Sequence, residues 1–477
     1  MIPVPAYRNS KAAVFGLGRA GLAAVRALAA GGADVLADDD NADRRAAAAA
    51  LGAHASDLAD GDWSGVGALV LSPGVPLDHP TPHPVVNAAR AAGVEILGEV
   101  ELLGRTLRPE GGAATKSPRL VGVTGTNGKS TATALLGHLL GEAGVEVQVG
   151  GNLGTAALDL EPLDEHGIYV LEMSSYQLDL TSRVVFDVAA LLNITPDHLD
   201  RHGGMDGYVA AKKRIFAGQT GNCAAVIAVD DKITAAIFDD LAAHGTQRLI
   251  AVSAQRPVAD GVYVRDGVLI DALDGVKHEV ATLSAIETLP GSHNWQNAAV
   301  AYAVARALGV EPGAAARGLA SYPGLAHRQE LVARKAGIRY VNDSKATNVE
   351  ATVQAFGCYE DIYWIAGGRA KDSDLSALVP LLSRARHGFF IGEAAPMIAE
   401  ELADRIPVTL SGTLDAAVAA AAALAAREGR DGAVVLLSPA CASFDQFSDF
   451  EARGDAFRAL VEGLPDTPVA ATGASGA

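Results

Sequence analysis

At 477 residues, and about 150 residues per domain, the chain is sized for about three domains, which excludes a single small module. Hydrophobic residues make up 49% of it and charged residues 20%, the balance of a folded protein and not of a disordered one. With 38 Lys and Arg against 56 Asp and Glu the formal charge is −18, which repels nucleic acid and anionic membrane surfaces, so an anionic ligand must be met by local cations.

From Lys11 the text AAVFGLGRAGLAAVRALAAGGADVLADDD predicts a strand, a glycine turn, a helix and a second strand, which is a βαβ unit. Gly16, Gly18 and Gly21 stand between strand and helix, where backbone amides at a helix N-terminus receive a diphosphate. Asp38, Asp39 and Asp40 follow the second strand, about where a ribose-binding acid sits in a dinucleotide fold. Taken alone, this first domain suits a nicotinamide dehydrogenase, another nucleotide ligand or a structural tight turn. Gly104 to Pro118 are polar and rich in Gly and Pro and read as a linker.

A second unit opens at Leu120, where the strand LVGVT runs into Thr124-Gly125-Thr126-Asn127-Gly128-Lys129-Ser130-Thr131 and then into helical text. The glycines let a loop wrap phosphate oxygens, Lys129 supplies a cation, and Ser130 or Thr131 offers a hydroxyl to Mg²⁺. Val123 stands where the strict G-x-x-x-x-G-K-[ST] pattern has its first glycine, yet the chemistry of a nucleotide loop is complete. Downstream, Glu172 in YVLEMSSYQL, His198 in NITPDHLDRHGG and Lys212 in YVAAKKRIF form a set suited to holding Mg²⁺, since a carboxylate ending an apolar strand is costly to bury without a cation or donor. Singly, each equally suits a surface ion pair or a helix cap. His198, Asp200 and His202 fit no zinc spacing and have no thiol near them in sequence.

A third β/α alternation follows in GIRYVND, DIYWIAGG, GFFIGE, IPVTL and AVVLLSPA. The expected fold class is α/β in three domains: an N-terminal Rossmann-like domain over 1–104, a linker over 105–118, a central P-loop-type domain with a mainly parallel sheet over 119–324, a C-terminal Rossmann-like domain over 325–465 and a loose tail over 466–477. Cys223, Cys358 and Cys441 are far apart and form no Cys-x-x-Cys pair, which suits a reducing compartment. Met1 to Ser10 contain no apolar core of a secretion signal, and the longest helical apolar run, Ala416 to Ala426, is short for a bilayer; the expected location is cytoplasmic.

TGTNGKST, LEMSSYQL, NITPDHLDRH with YVAAKKRIF, GSHNWQNAAVA, LAHRQE, NDSKATN and LLSPACASFDQFSDFEARG occur in the order found in the Mur ligases, and nearly the whole chain resembles that family. NDSKATN and SPACASFDQF are most similar to its D-glutamate-adding branch. The resemblance implies ATP-dependent amide formation through an acyl phosphate, with ATP and Mg²⁺ as cofactors, UDP-N-acetylmuramoyl-L-alanine and D-glutamate as substrates, and a monomer as the working form. It implies that Gly125, Thr126, Asn127, Gly128, Lys129, Ser130, Thr131, Asn294, Asn297, His327, Arg328, Asp343 and Lys345 serve ATP. Ser130, Glu172, His198 and Lys212 would serve the metal, Lys212 as a carbamate, with Lys129, His198 and Lys212 in catalysis. Gly16, Gly18, Arg19, Asp38, Ser72, Pro73, Gly74 and Asn152 would face the UDP-sugar, and Thr347, Lys371, Ser443, Phe444 and Phe450 the amino acid. Two departures from the family pattern touch that last group: Arg369-Ala370 precede Lys371, and Phe444 stands where Leu is common. A Mur-type ligase for another amino acid such as L-glutamate is the near alternative. A nicotinamide-dependent dehydrogenase explains GLGRAG but leaves TGTNGKST without a role, and a non-catalytic nucleotide-binding scaffold is a third reading.

Overall fold

The computed structural model describes residues 1–109, 117–370 and 374–466. These fall into two compact units, the first comprising Met1–Leu283 with Asn294–Tyr322, the second Ser284–His293 with the chain from Pro323 onward. No helix among the described residues is long and apolar enough to cross a membrane.

The first unit holds two sheets. One has five parallel strands in the order His54–Ala55, Asp34–Asp38, Lys11–Phe15, Val66–Leu71, Glu95–Leu97. Its central runs AAVF and ALVL are buried, which is why they read as continuous apolar text and not as alternation. The other has nine strands. From Val147–Gly151 through Ile168–Glu172, Arg119–Thr124, Val188–Leu191, Ala224–Ala228, Arg248–Ser253 and Val262–Arg265 they are parallel, and Val268–Asp271 and His278–Thr282 then add antiparallel hairpins. The strand order places the carboxyl ends of Arg119–Thr124 and Ile168–Glu172 side by side, so the loop after Thr124 and the carboxylate of Glu172 emerge at one edge.

The two sheets share a unit because the helix Glu99–Leu107 is built into both. This helix runs past the expected boundary at residue 104, and its buried Glu101 explains why. One oxygen of Glu101 accepts the amides of Ser182 (2.9 Å) and Val184 (3.1 Å), and the other accepts Arg183 N (3.0 Å) and Arg105 Nε (2.9 Å). Burial pushes this carboxyl up, but the three amides and the guanidinium outweigh it and hold it below the ordinary carboxylate range. Glu99 Oε1 takes Leu158 N at 2.8 Å and Arg26 pairs with Asp159, which extends the same seam.

The second unit carries six strands: Glu330–Lys335 antiparallel to Ile338–Asn342, then Val434–Leu437, Ile362–Gly367, Ala385–Ile391 and Val408–Gly412 in parallel. The antiparallel strand Glu330–Lys335 is partly exposed along its length, so it lacks the apolar run by which the other five announce themselves. Ser284–His293 belongs to this unit although it precedes the helix Ser292–Ala307; Glu287 pairs with Arg334, and Cys358 Sγ reaches Pro290 O.

Glu101→Ala should destabilise the protein by about 3 kcal/mol, because it strands three amides at a buried seam and removes one of the two carboxylates that hold Arg105. A shift of the urea unfolding midpoint checks this. A depressed carboxylate contributes fully above its unfolded pKa and loses that contribution as pH falls through its folded pKa, so the gap between wild type and variant should narrow in acid.

Candidate functional site

The loop Gly125–Gly128 is pinned before it meets any ligand. Thr126 N donates to Asn193 O at 2.8 Å, Asn127 N to Asn193 Oδ1 at 2.8 Å, and Asn193 Nδ2 returns to Asn127 O at 3.1 Å. Thr126 Oγ1 accepts Thr195 N at 3.0 Å and lies 3.0 Å from Tyr208 Oη. Gly128 has φ +83° and caps the helix Lys129–Glu142; a Cβ there would lie 2.1 Å from Asn297 Oδ1. Asn297 Nδ2 donates to Asn294 Oδ1 at 3.1 Å, so the two asparagines of HNWQN are joined to each other and packed on the loop. Ser130 is buried at the helix start, with Thr131 beside it.

Two lysines converge on one carbonyl. Lys129 Nζ donates to Gly125 O at 3.0 Å and to Thr126 O at 2.7 Å, while Lys212 Nζ donates to Gly125 O at 2.7 Å. Burial, then the charge of Lys129, push Lys212 down to about 6, with Asp197 and Glu172 pulling the other way. At neutral pH the Lys212 amine is therefore mostly uncharged, and it sits 4.7 Å from the centre of the Tyr208 ring, one helical turn earlier.

Glu172 ends its strand buried. Asn152 Nδ2 donates to its Oε1 at 2.7 Å, and its Oε2 has no hydrogen-bond partner. An orphaned buried carboxylate oxygen calls for a cation or a proton, and among the described residues no three His, Cys, Asp or Glu side chains stand close enough to form a cage. That is the donor set of Mg²⁺, which uses one or two protein oxygens and takes the rest from water and phosphate. The bare Glu172 oxygen fits such an ion. His198 caps the short helix Leu199–His202 with φ +52°, and its Nε2 lies 3.4 Å from Asp197 Oδ2.

In the five-stranded layer, Gly16 at φ +85° passes so close to Ser72 that a Cβ would lie 2.6 Å from the Ser72 Cβ, which makes Gly16–Gly18 and Ser72-Pro73-Gly74 one surface. Arg19 Nη2 donates to Asn152 O at 3.2 Å, and Arg201 Nη1 donates to Gly74 O at 3.1 Å, so this surface is bonded to the edge carrying Glu172 and His198. Asp38 is engaged within the fold: Oδ1 accepts Asp39 N (2.9 Å) and Oδ2 accepts Leu58 N (3.2 Å). Its neighbour Asp39 takes Leu17 N at 2.6 Å, so the acids after the strand brace the glycine turn.

In the second unit, His327 is buried at φ +62° with Asn342 Nδ2 donating to its Nδ1 at 3.0 Å, and Arg328 follows it. Asp343 accepts Ser438 Oγ at 2.8 Å and Gln329 N at 3.2 Å; burial pushes it up to about 7 against these donors and Arg328. Lys345 Nζ lies 3.8 Å from the centre of the Phe450 ring, and Thr347 N donates to Lys345 O at 2.8 Å. Ser443 is buried beside Phe444, which is 63% exposed, a high value for so large an apolar side chain. Lys371 lies outside the described residues. Arg453 ties these loops together: it is buried, donating to Ser344 Oγ (3.0 Å), Ser344 O (2.8 Å), Gly367 O (3.4 Å) and Cys441 O (3.1 Å). The sequence motifs NITPDHLDRH, YVAAKKRIF and LLSPACASFDQFSDFEARG contain Asn193, Tyr208 and Arg453 without singling them out, and of the three only Tyr208, four positions before Lys212, is marked by position as a neighbour on one helix face.

A nucleotide loop with a buried carboxylate and a neutral lysine at its side, on a parallel sheet, defines a phosphate-activating α/β enzyme. The model of the Mur ligase middle domain matches residues 123–305, that of the Mur ligase glutamate ligase domain matches 327–441, and the chain belongs to the Mur ligase family. It is 53% identical over 464 residues to a protein of Caulobacter vibrioides named UDP-N-acetylmuramoylalanine–D-glutamate ligase, covering 97% of this chain and 98% of that one. A protein of the same name from Phenylobacterium zucineum is 51% identical, covering 98% and 99% of the two chains. Among solved structures, UDP-N-acetylmuramate-alanine ligase MurC from Thermotoga maritima superposes with a TM-score of 0.57 over 95% of this chain and 99% of that one, at 16% identity, a likeness of fold.

Lys129→Ala should cut ATP-dependent phosphate release by about a thousandfold, since it deletes the cation of a preorganised phosphate loop. A phosphate-release assay on folded variant checks it, and near-wild-type rates would remove Lys129 from the chemistry.

Proposed function

We propose that the protein is an ADP-forming ligase of peptidoglycan precursor synthesis that joins D-glutamate to UDP-N-acetylmuramoyl-L-alanine, acting as a monomer in the cytoplasm. The observation that carries this reading is the identity of about half of all residues, over nearly the full length of both chains, with relatives that bear that activity as their name. The terminal carboxylate of the UDP-sugar substrate takes the γ-phosphoryl group of ATP, releasing ADP. The amine of D-glutamate then attacks the acyl phosphate carbonyl, the tetrahedral adduct expels phosphate, and the ammonium proton leaves to solvent.

Lys129 and the amides of Gly125–Thr131 receive the phosphate chain, and the buried Asn294–Asn297 pair packed on Gly128 serves the nucleotide. Bound Mg²⁺ supplies the positive charge that lets two anions approach. Glu172, Ser130 and His198 are the groups assigned to hold it. The neutral Lys212 amine is poised to attack CO₂, forming a carbamate with loss of one proton, which turns a buried nitrogen into an anionic oxygen donor beside Glu172. Gly16, Gly18, Arg19, Asp38, Ser72, Pro73, Gly74 and Asn152 are assigned to the UDP-sugar, Asp38 being held in place by two backbone amides. In the second unit His327, Arg328, Asp343 and Lys345 are assigned to ATP, and Thr347, Lys371, Ser443, Phe444 and Phe450 to D-glutamate.

Purified protein given UDP-N-acetylmuramoyl-L-alanine, ATP and Mg²⁺ with a panel of D- and L-amino acids should release phosphate and form product of the expected mass with D-glutamate alone. Turnover with L-glutamate in its place would correct the substrate, and no turnover with any amino acid would sink the ligase reading. Lys212→Ala should lose activity that bicarbonate does not restore and that short carboxylic acids restore in part. Full activity without rescue would rule out the carbamate.

A further inference from the structure

His202 entered the sequence reading only as a member of a zinc pattern that failed. In the fold it is the point where the elements carrying Glu172, His198 and Lys212 meet. Its side chain is almost wholly buried, with Nδ1 3.1 Å from Asp179 Oδ2 and Nε2 2.9 Å from Ser175 Oγ. Nε2 and the Ser175 hydroxyl share a hydrogen bond, and the Asp179 carboxylate lies against Nδ1. Ser175 and Asp179 are the first and last residues of the short helix that follows the Glu172 strand, so one imidazole touches both ends of it and is hydrogen-bonded to the first. The helix Met205–Lys213, which carries Tyr208 and Lys212, starts against the same residue; a Cβ on Gly207 would lie 1.9 Å from His202 O, and the His202 and Tyr208 rings are 5.4 Å apart.

The remaining link is Tyr176. Its ring stacks on His202 at 5.4 Å and 19°, meets the His198 ring at 5.0 Å, and carries the Arg201 guanidinium 4.6 Å from its centre. His198 needs such a holder. It is about half exposed, stands on a left-handed backbone residue, and its imidazole pairs with Asp197 beside it in sequence. An exposed imidazole of this kind samples several rotamers unless packing selects one.

We propose that His202 is a positioning residue of the ligase reaction, fixing the His198 ring through Tyr176 and holding the helices that follow Glu172 and bear Lys212 at one junction. The proposal rests on the function proposed above. Burial keeps His202 neutral, its pKa pushed down to about 4, so it acts through shape and hydrogen bonds and transfers no proton.

The test compares wild type with His202→Phe, which keeps a ring but loses the Ser175 hydrogen bond and the contact to Asp179, His202→Gln, which keeps a donor and an acceptor, and Tyr176→Leu, which removes the transmitting ring and leaves the His202 contacts to Ser175 and Asp179 in place. Active sites are counted by equilibrium binding of a non-hydrolysable ATP analogue, and kcat per site, KM for each substrate and the pH dependence of kcat are measured. His202→Phe and Tyr176→Leu should each lose about 10- to 100-fold in kcat per site with KM values within about twofold, a pH profile of unchanged shape, and partial recovery in His202→Gln. Wild-type kcat per site in Tyr176→Leu overturns the route through that ring even if His202→Phe does not fold. Unchanged kcat per site in a folded His202→Phe reduces the residue to packing, a loss confined to KM makes it a substrate contact, and a missing limb of the pH profile makes it a proton carrier; each refutes the proposal. Absence of turnover by wild type with D-glutamate would instead refute the function on which it rests.

Discussion

Two amines share one carbonyl oxygen beside the phosphate loop, and the cost of burying one of them as a cation shapes the rest of the site. Gly125 O accepts Lys129 Nζ and Lys212 Nζ, with Lys212 buried and Lys129 nearer the surface. Burial, and after it the neighbouring charge of Lys129, disfavour the cation at Lys212 and push its pKa down to about 6. One lysine is left as a cation for phosphate and the other as a nucleophile. The carbonyl can hold both only because Gly125 and Gly128 adopt backbone angles that bend the loop back over its own helix start.

Charge of the opposite sign is handled with equal economy. Glu172 keeps one oxygen on Asn152 and the other bare, a state that is costly unless a cation arrives. The Asn152 that orients it also accepts Arg19 through its carbonyl, so the glycine turn of the first sheet is wired to the carboxylate of the second. A chain of net charge −18 thus carries the Lys129 amine and a helix N-terminus at its glycine loop, local positive charge against the overall sign. The helix Glu99–Leu107, clamped by Glu101 to the amides of residues 182–184, keeps the two sheets in one unit and preserves that wiring.

Much of this was legible in the sequence, and the reason differs from element to element. Strands such as LVGVT and YVLE are buried on both faces and therefore continuous in text, and the loop TGTNGKST between strand and helix allows few other uses. The antiparallel strand Glu330–Lys335 and the hairpins after Val262–Arg265 were not legible, since half-exposed strands share their composition with loops. Asp38 stands after a strand where a ligand contact is expected, and each of its oxygens also accepts a backbone amide, which only the path of residues 39–58 reveals. His202 was discounted on spacing, because the partners that give it meaning, Ser175 and Asp179, are more than twenty residues away.

The sequence by itself determined the chemistry available: a phosphate loop, a carboxylate at a strand end, a lysine on the next helix, and the family whose motifs these are. Those are local facts, set by residue type and by the period of strands and helices. Only the tertiary structure decided the protonation of Lys212, the bare oxygen of Glu172, the junction at His202 and the boundary that assigns Ser284–His293 to the second unit. Each of these depends on burial and on partners brought from distant segments, and neither is written in the order of residues along a single element.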